Sequence, residues 1–378
     1  MYCGVKLFHG SNSIKVATDK ASSIPLPEYI LANCPSLDGS KTTYYPTPYL
    51  FNGHLQTGYA SIYKEKSQHF TYEREILPLE DGGQVSLDWT ITESKPKKDQ
   101  DNTPILVVLH GLTGGSHESY VHGLLEKIIQ PPYNLRGVVM NARGCGDTEV
   151  MTPRLFTGAW TSDIRYALHH IKKHLAPGTP MIGIGFSLGS NVLVKYLGEE
   201  KENTPLHAAI SVGNPFDFLA SNMSLEASYF RRNIYSKTMA NSLKRLYERH
   251  PIMKKHPDVD PEKVYAANTI REFDIACTSK VFGYTTVNNY YRDASSSRFI
   301  EHVRIPLLCV NALDDPISPL TSIPWDEISI NPYAVLATTD YGGHLGWFTG
   351  TLSPSRWIDQ PLAEFVYAMT KVKSDKNQ

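Results

Sequence analysis

A chain of 378 residues with 41% apolar content holds enough hydrophobic side chain for a large core, which excludes a disordered protein. Lys plus Arg number 37 against 38 for Asp plus Glu, so no net field selects nucleic acid or an anionic membrane, and a neutral small molecule is the expected partner. The five cysteines (Cys3, Cys34, Cys145, Cys277, Cys309) are odd in number, scattered and without a C-x-x-C pair, which argues against a disulfide framework or a zinc site and fits a reducing compartment.

Residues 1–16 lack the apolar segment of a signal peptide, and no run of about 18 apolar residues marks a membrane span. An intracellular, cytoplasmic protein is expected, with peripheral contact on lipid droplets or organelle membranes left open. Residues 1–70, rich in Pro, Tyr, Ser and Thr and weak in periodicity, read as an N-terminal arm packed on the core. Alternation over 71–91, with Asp81-Gly82-Gly83 as the turn, predicts antiparallel strands at a sheet edge. A polar loop follows at 95–102. From Ile105 onward, short apolar runs at 105–109, 137–142, 181–186, 208–213, 306–312 and 333–338 alternate with amphipathic helical stretches. Runs of that kind fill buried parallel strands, so the predicted class is α/β, a mostly parallel central sheet with helices on both faces. Trp160, Ile164, Leu168, Ile171 and Leu175 recur at helical spacing, which assigns Trp160 to the core. Residues 216–300 are helical, charged and aromatic and contain no buried-strand run. An insertion there must lie outside the sheet and is read as a cap over the carboxyl ends of the strands. The core then divides into 71–215 and 301–371, with 372–378 as a tail.

The chemistry concentrates around Gly185-Phe-Ser187-Leu-Gly189, placed between the apolar run 181–186 and a helical stretch. A sharp strand-to-helix turn flanked by glycines exposes the serine oxygen, and a nucleophilic serine needs a base that is itself oriented by a carboxylate. On such a sheet the order is serine, acid, histidine. His344 is the histidine beyond the fifth run, just after the last strand. The acid falls in the loop after the penultimate strand, where Asp315 is favoured over Asp314 because Asp315-Pro-Ile317-Ser-Pro319 has the usual form of that loop. Two backbone N–H groups must face the developing oxyanion. Leu188 follows the nucleophile, and Leu112 follows the His110-Gly111 turn, with His110 as a structural partner of that loop. Gly111, Gly114 and Gly115 lack the Gly-Lys-Ser/Thr of a phosphate loop. None of the 14 histidines sits in H-x-H-x-D-H or H-E-x-x-H, and His169 and His170 point to different sides of one helix, so no metal and no cofactor is expected. His54 is read as arm packing, Arg143 as a tie between loops, and Cys145 as unreactive.

Phe51-Asn-Gly-His-Leu-Gln-Thr57, His110-Gly-Leu-Thr-Gly-Gly-Ser116, Asn141-Ala-Arg-Gly-Cys-Gly146, Gly185 to Asn191, Phe273-Asp through Tyr290-Tyr-Arg292, Asn311 to Pro316 and Gly342-Gly-His344 together carry a resemblance. The chain resembles the α/β-hydrolase family of fungal medium-chain fatty acid ethyl ester synthase/esterases, monoacylglycerol lipases and YheT-like hydrolases. The resemblance implies an α/β-hydrolase fold and places Ser187, Asp315 and His344 at the family's triad positions. It implies a serine esterase acting on medium-chain acyl esters, with acyl transfer to a short alcohol as a second face of the same mechanism. Two alternatives remain. One is an acyl-CoA thioesterase, for which Arg231-Arg232 and Lys244-Arg245 are candidate cations. The other is a non-catalytic binding protein, which would normally have lost a triad residue.

Overall fold

The computed structural model describes residues 3–17, 23–65, 68–92 and 101–372. Most of the expected loop at 95–102 and of the tail lies outside the described residues. Nine strands form the central sheet: β1 (Lys6–Phe8), β2 (Thr71–Pro78), β3 (Gln84–Ile91), β4 (Ile105–Leu109), β5 (Arg136–Asn141), β6 (Met181–Phe186), β7 (Ala208–Val212), β8 (Leu307–Ala312) and β9 (Ala334–Thr339). Their order is β1-β9-β8-β7-β6-β4-β5-β3-β2. The strands from β4 to β9 are parallel to their neighbours among themselves, so each apolar run is a strand that buries both faces. The β2–β3 hairpin is antiparallel and turns at Gly82, whose φ of +77° suits glycine. At the other edge β1 pairs antiparallel with β9. That pairing carries no signal in the sequence, because three residues of arm are too short for a period to emerge.

The principal helices, in chain order, are α1 (Gly53–Ile62), α2 (Ser119–Ile128), α3 (Ser162–Lys173), α4 (Leu188–Glu200), α5 (Phe218–Glu226), α6 (Lys237–Arg249), α7 (Val287–Ala294) and α8 (Asp359–Met369). Alternate residues of β4 divide between two cores. Leu106 and Val108 pack with Val121 and Leu124 of α2 and with Leu362 and Phe365 of α8. Ile105 and Val107 face the opposite layer, with Ile164 and Leu168 of α3 and Leu193 and Leu197 of α4. Each such side chain contributes roughly 1.5–3 kcal/mol by leaving water.

Between β7 and β8 the described residues are helical. Leu243, Leu246 and Tyr247 of α6 pack with Phe273 and Cys277 and, across to the loop after β5, with Val150 and Leu155. Trp160 departs from the expected core position. Helix α3 starts only at Ser162, so Trp160 precedes the stripe and is 37% exposed. Its indole N–H donates to Asp163 Oδ1 at 3.1 Å, and the Arg154 guanidinium lies 4.9 Å above the ring. The polar edge of the ring and a cation partner hold it at the surface.

Candidate active site

β6 ends at Phe186 and α4 begins at Leu188, so Ser187 alone must turn the chain, and it does so at φ +52°, ψ −117°. That conformation is sparsely populated by a residue with a side chain and is maintained by its surroundings. A methyl on Gly185 would strike the backbone of Gly189 and Ser190, and one on Gly189 would strike the carbonyls of Leu109 and His110. Both positions therefore require glycine. Asn191 fixes the helix that follows, donating to the Ala294 carbonyl at 2.8 Å and accepting the Ser296 N–H at 3.0 Å.

The turn presents Ser187 Oγ 2.8 Å from His344 Nε2, and His344 Nδ1 lies 2.7 Å from Asp315 Oδ2. A carboxylate accepts, so Nδ1–H donates to Asp315 and Nε2 is left to accept the serine proton. Asp315 is held in turn, because its Oδ1 accepts the N–H groups of Ile317 at 2.8 Å and Ser318 at 2.9 Å. Asp314 points elsewhere. Its Oδ1 accepts the Gly343 N–H at 2.8 Å, and burial pushes its carboxyl up to about 6.

The arm supplies a support that periodicity does not reveal. His344 donates its backbone N–H to Thr57 Oγ1 at 2.8 Å, and Thr57 donates to the Gly53 carbonyl at 2.6 Å. Gln56 accepts the Phe348 N–H at 2.8 Å, so α1 holds the loop that carries the histidine. The stretch Phe51 to Thr57 carries this support, and the residue in it that reaches the loop is Thr57 and not His54. His54 instead contacts the Tyr235 hydroxyl at 2.8 Å, joining arm to cap.

The loops after β4 and β5 are tied together beside Ser187. His110 donates Nδ1–H to the Gly111 carbonyl at 2.7 Å and accepts the Ala142 N–H on Nε2 at 3.1 Å. Burial lowers its imidazole to about 4, which keeps it neutral. The Gly111 N–H goes to the Tyr120 hydroxyl at 2.9 Å, leaving the Leu112 amide as the next donor along the turn. Leu112 and Leu188 line one cavity with Ser187. Arg143 joins Asp81 and Asp163 through contacts of 2.7–3.1 Å. Burial raises the Cys145 thiol, which opposes reactivity.

A family model described as alpha/beta hydrolase fold matches residues 104–348. The chain belongs to the α/β-hydrolase family. It is 34% identical to a monoacylglycerol lipase of Saccharomyces cerevisiae, over 93% of this chain and 86% of that one. It is 36% identical to the human phospholipase ABHD3, over 87% of this chain and 80% of the relative. It is 31% identical to medium-chain fatty acid ethyl ester synthase/esterase 2 of S. cerevisiae, over 84% of each. The coarse activity is therefore that of an ester-hydrolysing α/β hydrolase.

Two cavities of this α/β hydrolase meet at the serine and histidine. The first, about 100 Å³, is apolar and bounded by Phe156, Leu188, Phe218, Leu225, Met239 and Leu243, with Ser187 at its mouth. Asp274 also lines it. The Tyr291 hydroxyl donates to Asp274 Oδ2 at 2.9 Å, and burial pushes this carboxyl up to about 7. The second, about 560 Å³, lies on the His344 side and mixes apolar side chains such as Tyr120, Ile234 and Leu345 with the polar Ser61, Glu65, Glu118 and Arg356. Arg356 is 6% exposed, and its Nη1 and Nη2 have no hydrogen-bond partner among the described residues. The cap cations are otherwise engaged. Arg232 pairs with Glu226 at 3.1 Å, Arg231 donates to Ser224 at 2.7 Å, and Lys244 donates to the Ala267 carbonyl at 2.7 Å. No helix among the described residues is long and apolar enough to cross a membrane.

Proposed function

We propose that this protein is a serine carboxylic ester hydrolase of medium-chain acyl esters, working through an acyl-enzyme. The observation that carries the reading is the unbroken chain Ser187 Oγ–His344 Nε2 and His344 Nδ1–Asp315 Oδ2, set between an apolar cavity on the serine side and a larger one of mixed lining on the histidine side. His344 takes the proton of Ser187 as Oγ attacks the ester carbonyl, and Asp315 stabilises the imidazolium without accepting the proton. The amides of Leu112 and Leu188 receive the oxyanion. His344 then protonates the leaving alcohol, which places the alcohol in the cavity that His344 lines. Water, or a short alcohol, attacks the acyl-enzyme by the same route in reverse, giving hydrolysis or acyl transfer.

The acyl chain occupies the apolar cavity, against Phe156, Leu188, Phe218, Leu225 and Leu243. The alcohol side mixes apolar side chains with polar ones, among them Ser61, Glu118 and Thr238. That mixture suits a hydroxyl-bearing leaving group such as glycerol better than ethanol, in keeping with the monoacylglycerol lipase among the relatives. Tyr229, Phe230 and Ile234 of the cap and Phe51 and Leu55 of the arm expose apolar surface, and Ile234 also lines the alcohol-side cavity. This rim supports peripheral contact with the lipid surface that carries the substrate.

A chain-length series of p-nitrophenyl esters and 1-monoacylglycerols, run on the wild type and on Ser187→Ala, tests the reading. The expected result is a maximum at medium chain length and a loss in kcat of about 10⁶-fold in the variant. Retention of wild-type turnover by Ser187→Ala removes the nucleophile and the mechanism with it.

A further inference from the structure

Far from the serine, three side chains are disposed as metal ligands are. His170 and His174 lie four residues apart at the end of α3 and share one side of it, and Glu75 reaches them from the edge strand β2. His170 Nε2 is 2.6 Å from Glu75 Oε1, and His174 Nε2 is 3.2 Å from His170 Nε2 and 4.0 Å from Glu75 Oε1. Bonds of about 2.0–2.2 Å to a four-coordinate zinc keep neighbouring ligand atoms roughly 3.3 Å apart, and the three separations scatter about that value. The carboxylate is oriented from behind, because Trp89 donates its indole N–H to Glu75 Oε2 at 2.8 Å and leaves Oε1 turned toward the imidazoles. An outer hydrogen bond of that kind typically accompanies a metal ligand.

We propose that Glu75, His170 and His174 bind one divalent transition-metal ion, zinc or copper in class, with a water in the remaining position. Two imidazole nitrogens and one carboxylate oxygen favour these ions over magnesium or calcium, which seek oxygen alone. The side chains are between 21% and 27% exposed, so an ion has access. β2 lies four strands from β6, at about 4.8 Å per strand roughly 19 Å away, which separates the ion from the ester chemistry. Its effect is mechanical, since it staples the outer hairpin to α3. The separation of 95 positions between Glu75 and His170 explains why a search for contiguous motifs misses the group. A His170–Glu75 ion pair with a ring-to-ring hydrogen bond uses the same atoms without a metal, and the experiment distinguishes the two.

The full-length chain, dialysed against a chelator, is titrated with Zn²⁺ in competition with a chromophoric chelator. Co²⁺ is then added to read the visible bands of a four-coordinate site. One equivalent should bind, and thermal unfolding should shift upward as metal is added. His170→Ala, His174→Ala and Glu75→Gln should each weaken binding at least about tenfold, while His169→Ala and ester hydrolysis should be unaffected. Absence of competitive binding, or binding that survives loss of both His170 and His174, overturns the site in favour of the ion pair.

Discussion

Asp315→Asn replaces one oxygen in the proposed relay, and its cost follows from what already holds each atom. Oδ1 accepts two backbone N–H groups, from Ile317 and Ser318, while Oδ2 accepts from His344 Nδ1 at 2.7 Å. An asparagine must leave its carbonyl where those two donors demand an acceptor, so its NH₂ group turns to His344. Facing a donor, the imidazole adopts the tautomer with its proton on Nε2, directed at Ser187, and the general base is lost. A wrong tautomer of this kind lowers kcat by about 10⁴-fold, equivalent to about 5.5 kcal/mol of transition-state stabilisation. Stability should scarcely change, because both backbone bonds persist. Asp314→Asn is the comparison. Its Oδ1 accepts the Gly343 N–H, a bond that an asparagine oxygen keeps, and burial, by pushing the carboxyl up to about 6, already disfavours the charge that the amide lacks. A change in kcat within about threefold, under 1 kcal/mol, is expected there. Steady-state kinetics on p-nitrophenyl octanoate, with thermal unfolding of both variants, makes the measurement. If Asp315→Asn keeps more than about a tenth of the activity, or Asp314→Asn proves the more damaging, the assignment of the acid fails.

Thr57→Val keeps the shape of the side chain but removes the acceptor of the His344 amide. The orphaned N–H should cost about 1–3 kcal/mol, and kcat should fall roughly tenfold as the imidazole loosens, with Thr57→Ser restoring both; a silent valine variant would mean that α1 does not position the histidine. Asp274 is neutral below about pH 7, and above it a charge appears in the wall of the apolar cavity, so KM for a medium-chain ester should rise with pH in the wild type and stay level in Asp274→Asn. Because this carboxyl is raised in the folded state, its contribution to stability is complete below its ordinary value near 4 and is lost as pH rises through about 7. The asparagine variant should therefore gain up to about 4 kcal/mol over the wild type at pH 8 and little at pH 4, and pH-independent differences in KM and unfolding would contradict both statements.

What the sequence makes legible has a common physical origin. A strand buried on both faces must be apolar throughout, so β4 to β9 announce themselves as short unbroken runs whose ends match the strands to within a residue or two. The turn at Ser187 is legible for a steric reason, since the approach of Leu109, His110 and Ser190 leaves room only for glycine on either side. Asp315 and His344 are legible through topology, because each follows a strand adjacent to the one before it in the sheet, and such loops share one end of the molecule. Trp160 shows where spacing misleads. A period of 3.6 extrapolates a stripe past the first turn of a helix, but the side chain before that turn answers to local hydrogen bonds and to Arg154.

The remaining features depend on contacts that no local pattern encodes. β1 is an edge strand of three residues held by β9, more than 300 positions later, and its residues would be equally plausible as a loop. Thr57 and Gln56 lie in a weakly amphipathic helix whose purpose becomes visible only when the loop of His344 and Phe348 is laid against it. Asp274 reads along the chain as one more acid in a charged insertion, yet it is buried against Tyr291, Thr278 and the apolar cavity wall, and that burial pushes its carboxyl up to about 7 against the pull of its hydrogen bonds and of Arg271. In each case the residue type is ordinary and the partner is remote, so the chemistry belongs to the pair. The arm and the cap therefore add supports for the serine and histidine to those of the core, while the strands that give the fold its name supply a frame on which those supports converge.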